Sequence, residues 1–298
     1  MLSLSFSQDF DLIHVDIWGP YSHNTCEGAK FFLTIVDDCS RATWVHLMAH
    51  KSNAFPLLRT FVIFVETQFN ATVKIIRTDN GLEFQEKSAF GFYKEKGIMH
   101  HTSCVDTPQQ NGVVERKHQH LLNVTRALMF QSNLPTKFWG EALLTATYLI
   151  NRMPTPILHN KTPFEILHQA KPSYKHLRTF GCLCYASTLT RNRDKLQPRA
   201  KPCVFLGYPY GQKAYKLMDL QSKRIFTSRD VKFHENVFPF HFIPHHSDVP
   251  LPAVTDFISD FQMSTNPSDH SDSATQISFG TDFPTSLSSH IISSDSIA

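Results

Sequence analysis

Three carboxylates far apart in the chain, Asp16, Asp79 and Glu115, stand where local patterns place strand ends and a helix start. Asp16 falls at the end of the short apolar run FDLIHVDIWGP. Asp79 ends TVKIIRTD, just before Asn80-Gly81, and Glu115 lies in the first turn of a long amphipathic stretch. Neighbouring strands of one sheet bring their ends together, and a helix crossing that end adds a third carboxylate. Like charges at close range raise one another's pKa, so an uncompensated cluster is costly. A divalent ion removes that cost. Mg²⁺ takes hard oxygen ligands and keeps positions for water or substrate phosphate. Two such ions, about 3.5–4 Å apart, clamp the attacking and leaving oxygens of an in-line displacement at phosphorus. The residues alone do not select this triple. A lone Asp at a strand end is most often a turn or cap residue. Asp37 and Asp38 end another strand, and Glu83 and Glu86 lie near Asp79.

The elements that must position these acids follow from periodicity. FDLIHVDIW, AKFFLTIVDD and RATWVHLMA read as three strands. Phe55, Leu58, Val62 and Val65 recur at helical spacing, with Ser52 able to cap and Pro56 tolerated only in the first turn. TVKIIRTDNG predicts a further strand, residues around Glu86 to Lys96 a helix, and GIMHHTS another short strand. From Asn111 the pattern is helical, with an apolar face at Val114, Leu121, Leu122, Thr125, Leu128 and Met129. Asn133 and Pro135 interrupt it. KFWGEALLTATYLINR predicts a second helix, stopped by Pro154 and Pro156. This order predicts an α/β core with a mixed sheet over residues 1–157, then a helical connector over 158–177. FGCLCYAST, CVFLGYP, AYKLMDL and RIFTSRDVKF are short strand-like runs, so 178–243 is predicted as a small all-β barrel-like domain. Residues 244–298, acidic and rich in Ser, are predicted as a disordered tail.

Net charge is +3, but it is unevenly spread. All 29 Lys and Arg lie at or before Lys232, against 18 acids there, so the first 232 residues carry +11 and the remainder −8. A basic body suits a polyanion partner, although charge alone does not decide for nucleic acid. The six cysteines form no CxxC. They read as small buried thiols of a reducing compartment, with Cys182 and Cys184 sharing one strand face, and no zinc is expected. The pairs His100-His101 and His245-His246 are expected to be exposed or structural. The chain has no signal-peptide pattern and no apolar run near the ~20 residues that span a bilayer. A soluble, intracellular protein with no membrane partner is expected.

The text around the acids carries more. HVDIWGP holds Asp16, FLTIVDDCSRATWV follows, IIRTDNGLEF holds Asp79 and TPQQNGVVERKHQHLL holds Glu115, with 35 residues between the last two acids. QSNLPTKFWGEALLTATYLINRMPT, TPFEILHQAKPSYKHLRTFGCLCY and PRAKPCVFLGYPYGQKAYKLMDL continue the series. From about Phe10 to about Phe240 the chain resembles the integrase of copia-type LTR retrotransposons, within the retroviral integrase superfamily, where that spacing is typical.

The resemblance implies an RNase H-like core with Asp16, Asp79 and Glu115 as the catalytic, metal-binding acids, holding Mg²⁺ or Mn²⁺, two ions in all. It implies that Gln109, Gln110, Asn111 and Gly112 belong to a mobile loop that contacts DNA. Arg116, Lys117 and His118 follow Glu115 and are candidates for phosphate contacts, although a solvated helix face fits each of them equally well. His118, at i+3, shares the face of Glu115. In the β-rich segment, Arg191, Arg193 and Lys195 lead a basic series that the resemblance assigns to non-specific DNA binding, with the salt dependence of counterion release. Such integrases begin with a His-His-Cys-Cys zinc domain. No such ligand set stands here, so the chain reads as a fragment or truncated product, with concerted insertion of two ends not expected from it alone. The expected activity is 3′-end processing and DNA strand transfer. The partners are element ends, target DNA and, when complete, further copies of itself, in the nucleus. A non-catalytic nucleic-acid-binding remnant and an RNase H-type nuclease are the alternatives.

Overall fold

The computed structural model describes residues 8–102, 111–188 and 198–242. The predicted tail lies outside these residues. The described chain divides into two compact units, one of residues 8–125 and 136–172, the other of 126–135 and 173–242.

The first unit is built on a five-stranded mixed sheet. Its strands are β1 (Leu12–Trp18), β2 (Phe31–Asp37), β3 (Thr43–Met48), β4 (Ile75–Thr78) and β5 (Met99–Thr102), in the order β3-β2-β1-β4-β5. β2 runs antiparallel to both β1 and β3, whereas β4 lies parallel to β1 and β5 parallel to β4. The parallel joins need crossovers, and helices supply them. α1 (Ala54–Phe69) links β3 to β4, and α2 (Lys87–Lys96) links β4 to β5. α3 (Gly112–Ser132), α4 (Trp139–Ile150) and the short α5 (Pro163–His168) follow. This is the mixed-sheet, RNase H-like arrangement that the sequence resemblance implies.

Strand alternation sorts the two faces of the sheet. Ile13, Val15, Leu33, Ile35 and Trp44 pack with Leu58, Phe61, Val62 and Val65 of α1 in the larger core. Phe32 and Val45 face the other way, toward Leu121, Trp139, Leu143 and Ile150 of α3 and α4. His14 and Asp16 alternate with Ile13 and Val15, so they belong to that second face. α1 starts differently from the sequence expectation. Ser52 lies inside a 3-10 turn, Lys51–Asn53, and the residue ahead of α1 is Asn53. Its side-chain oxygen already accepts the His50 amide at 3.1 Å, so it makes no cap bond to the helix. α1 ends at Asn70 and α2 at Gly97, both in the left-handed conformation that closes helices.

The second unit is a five-stranded antiparallel sheet of β6 (Leu183–Ser187), β7 (Ala200–Gly207), β8 (Tyr215–Asp219), β9 (Ile225–Ser228) and β10 (Val231–His234). Its order is β10-β6-β7-β8-β9, so β9 and β10 sit on opposite edges. A flat sheet would separate those edges by about 19 Å, at roughly 4.8 Å per strand. Only Arg229 and Asp230 join the two strands, and three residue steps reach at most about 11 Å. The sheet must therefore curl, which gives it the barrel-like form expected from the short, evenly spaced strands. A register shift between Phe205 and Gly207 on β7 adds to the bend. Cys182, Cys184 and Cys203 are free thiols buried inside with Phe205, Tyr215 and Leu217. Desolvation pushes the thiol of Cys203 up to about 11 and that of Cys182 up to about 12, so both stay protonated and inert.

Candidate active site

β1 and β4 carry the first two acids to one place. In their parallel register Leu12 faces Ile75, Ile13 faces Ile76 and His14 faces Arg77. Continued by two residues, that register would set Asp79 opposite Asp16. Asp79 immediately follows β4, is exposed, and accepts the Gly81 amide on Oδ1 at 3.0 Å. Asp16 lies within β1, mostly covered, with Oδ1 accepting the Ile17 amide at 2.8 Å.

α3 brings the third. Asn111, just ahead of it, is buried and donates its side-chain amide to the Val15 carbonyl at 3.4 Å. Two helical turns later His118 packs edge-on against Phe32, with Nδ1 3.7 Å from Asp16 Oδ2. These contacts pin the first turns of α3 across β1, and Glu115 sits exposed between them. Burial holds the His118 imidazole near pKa 4, so it is neutral and the contact with Asp16 is no ion pair. Asp16 shows what surrounds it. Burial, then the charges of Asp79 and Glu115, push its pKa up to about 7, against the Ile17 hydrogen bond and a smaller pull from Lys51. Both distant acids thus act electrostatically on Asp16. Among the described residues, no three His, Cys, Asp or Glu side chains are already gathered as a metal cage.

Asp37 and Asp38, which spacing left open, are occupied. Asp37, opposite Ile13, accepts the Phe10 amide and both the amide and hydroxyl of Ser40 at 2.6–2.8 Å. Asp38 takes His14 Nε2 at 2.9 Å and Arg41 at 3.2 Å. Glu86 precedes α2, and Glu83 lies in a 3-10 turn beyond Gly81. His100 bonds the Thr78 hydroxyl at 3.0 Å and stacks near Tyr93, a structural role.

The expected DNA-contacting residues are dispersed. Gly112 opens α3 and Arg116 is exposed on it. Lys117 is half-buried, and desolvation followed by the charge of Arg41 brings its ammonium down to about 8. Asn111 and His118 turn inward, as described. Gln109, Gln110, Arg191, Arg193 and Lys195 lie outside the described residues. In the second unit Lys201 pairs with Asp219 at 3.0 Å and lies over the Phe226 ring, while Lys213 and Arg224 are exposed. Two residues escaped the sequence reading. The inward, anchoring role of Asn111 depends on a carbonyl 96 positions away. Lys51 exerts a small electrostatic pull on Asp16 through the fold, and no local signal marks it.

Known proteins match along this framework. Residues 7–108 match the Integrase core domain, and residues 182–245 the Retroviral polymerase SH3-like domain. Over 240 residues the chain is 35% identical to the retrovirus-related Pol polyprotein from transposon RE1 of Arabidopsis thaliana, covering 80% of this chain and 16% of that one. Over 226 residues it is 36% identical to the corresponding polyprotein from transposon TNT 1-94 of Nicotiana tabacum, covering 76% and 17%. The chain carries an integrase core region followed by a retroviral SH3-like region, and the Pol polyproteins of these plant transposons are its homologues. It spans about a sixth of the length of these curated relatives. Among solved structures, the HTLV-2 integrase catalytic core domain in complex with magnesium is 21% identical, with a TM-score of 0.41, covering 53% of this chain and 97% of that one. Asp16 and Asp79 fall inside the matched integrase core, and Glu115 lies just past its end.

Proposed function

We propose that this integrase chain is a metal-dependent polynucleotidyl transferase that frees a 3′-OH at an element's DNA end and joins it to target DNA. The observation that carries this reading is geometric: Asp16 stands on β1, the strand paired with β4, which Asp79 follows, and Asn111 and His118 hold the first turns of α3, with Glu115, against β1. Three carboxylates so arranged fit a divalent cation by the chemistry of their donors, because oxygen anions of this kind favour Mg²⁺ or Mn²⁺. Asp16 and Asp79 would share the ions, and Glu115 would complete a second position. When bound, the ions supply Lewis-acid stabilisation of the phosphoryl oxygens and of the attacking and leaving oxygens.

The chain's own residues supply position. Asn111 and the buried His118 fix the first turns of α3 on β1, which sets where Glu115 stands. Neutral His118 covers one side of Asp16 without competing for its charge. Gln109, Gln110, Gly112, Arg116 and Lys117, with Arg191, Arg193 and Lys195 of the second domain, are proposed to hold DNA through its phosphates, a sequence-independent mode that weakens steeply with salt. A nuclear location and assembly with further copies belong to the same reading. No helix among the described residues is long and apolar enough to cross a membrane.

The test is joining of a labelled oligonucleotide to plasmid DNA by the full chain, with Mg²⁺, with Mn²⁺ and with EDTA. Product with either metal and none with EDTA is expected. DNA retention in a gel shift with no product under any metal would leave the chain a binding protein and end the catalytic reading.

Gly81 offers a finer probe. A Cβ there would stand 2.9 Å from Asp79 Oδ1 and 3.0 Å from Glu83 Oε2. Both are ends of flexible side chains, so the fold can absorb an alanine, but the Asp79 carboxylate must turn aside. Misplacement by about 1 Å costs on the order of 10²-fold in rate. Gly81→Ala is therefore expected to lower joining by about that factor while the thermal midpoint stays near that of the parent. Equal joining rates would show that the Asp79 position is immaterial.

A further inference from the structure

The first turns of α3 present two different faces. Glu115 and His118 lie on the one beside Asp16. Val113, Arg116, Lys117 and His120, at i, i+3, i+4 and i+7, make another. This second face walls a cavity of about 380 Å³, closed by Arg41 from the β2–β3 turn and by residues between Ile150 and Ile157. None of Asp16, Asp79 and Glu115 lines it, and no carboxylate does. The wall beyond the basic groups is apolar, with Met153, Pro154, Pro156 and Ile157.

The charges around this cavity are poorly compensated. Arg41 reaches Asp38 at 3.2 Å, but the same carboxylate oxygen also receives His14 at 2.9 Å. Arg116 and Lys117 have no hydrogen-bond or ion-pair partner among the described residues, although Lys117 is half-buried. Three cations held around one cavity repel one another, and the repulsion grows as water is excluded. An anion in the cavity relieves it. Two guanidinium groups and an ammonium match a tetrahedral, multiply charged oxyanion better than a single carboxylate, and Arg forks suit phosphate geometry. The volume exceeds what a bare oxyanion fills and lies in the range of ligand pockets.

We propose that this cavity binds a phosphate group carried on an uncharged, partly apolar body such as a nucleoside, with Arg41, Arg116 and Lys117 on the phosphate and the 153–157 wall against the body. The site is separate from the three acids and does not depend on their catalytic role. The phosphate can come from a free nucleotide or from one phosphodiester of a DNA strand.

The experiment titrates the full chain, in EDTA, with thymidine monophosphate, inorganic phosphate and thymidine, following backbone amide resonances. Shifts at Arg41, Arg116, Lys117 and Ile157 with the monophosphate are expected, with weaker binding of inorganic phosphate and none of thymidine. Lys117→Met keeps the buried stem, and Arg116→Gln changes an exposed side chain. Each is expected to weaken monophosphate binding about tenfold or more, as loss of a charge-assisted contact does. Melting curves establish that both variants fold. A short duplex that displaces the monophosphate identifies a DNA phosphodiester as the source, and a duplex that leaves it bound identifies a free nucleotide. Undiminished affinity in both variants, or thymidine binding as tightly as its monophosphate, overturns the proposal. EDTA silences the metal-dependent reaction, so this outcome is independent of whether joining occurs.

Discussion

Asp79→Asn abolishes metal-dependent DNA joining, with an expected loss of about 10³-fold or more, and leaves the fold intact. The two halves of that expectation have different causes. Asp79 is exposed and lies just beyond the end of β4, and its Oδ1 accepts one hydrogen bond, from the Gly81 amide. Asparagine keeps that acceptor and the side-chain size. A surface change of this kind falls within about 0.5 kcal/mol of the parent. What disappears is a negative charge next to Asp16. A divalent ion loses a hard anionic ligand, and the amide oxygen is a weaker substitute. Joining measured beside a circular-dichroism melt checks both halves. Parent-like joining by a folded variant removes Asp79 from the reacting centre. Loss of joining together with loss of the fold would instead assign Asp79 a structural role that its exposure denies.

The positions of Asp16 and Asp79 were legible because strand ends and a Gly-containing break are local signals. Their partnership was not, because it depends on which strands are neighbours and in what register. Spacing left Asp37 and Asp38 as rivals. The fold separates them by giving both partners near the start of β1, Ser40 on Asp37 and His14 with Arg41 on Asp38. Helical periodicity found the apolar stripe of α3 from Val114 to Met129. It did not show that His118, three residues from Glu115 and a candidate for phosphate contact, turns inward onto Phe32. One face of a helix is readable from spacing, but the surface it meets is not. The same holds in the second domain. Short strands predicted an all-β unit, yet its curl follows from β9 and β10 meeting from opposite edges, a property of strand order alone.

Asp16 makes the link between stability and function measurable. In the ion-free protein its pKa stands at about 7 instead of 3.8, with burial first and the neighbouring carboxylates next as causes. Between roughly pH 4 and 7 the folded state therefore keeps a proton that the unfolded chain has released. Stability from this group is fully present below the unfolded pKa, declines across that window and is lowest above pH 7. Asp16→Asn removes the titration and keeps an acceptor for the Ile17 amide. Above pH 7 the ion-free variant is expected to be more stable than the parent, by on the order of 2–4 kcal/mol at about 1.4 kcal/mol per pKa unit. The two should converge near pH 4. Mg²⁺ reverses the order by binding the folded parent, which stabilises it by mass action, and by releasing the Asp16 proton as it binds. The variant should gain little from the metal and join no DNA. Urea titrations at pH 4.5 and 8, with and without Mg²⁺, read all of this. A parent more stable than Asp16→Asn in EDTA at pH 8 would mean that burial does not strain this carboxylate. An equal Mg²⁺ gain in both proteins would place the ion elsewhere.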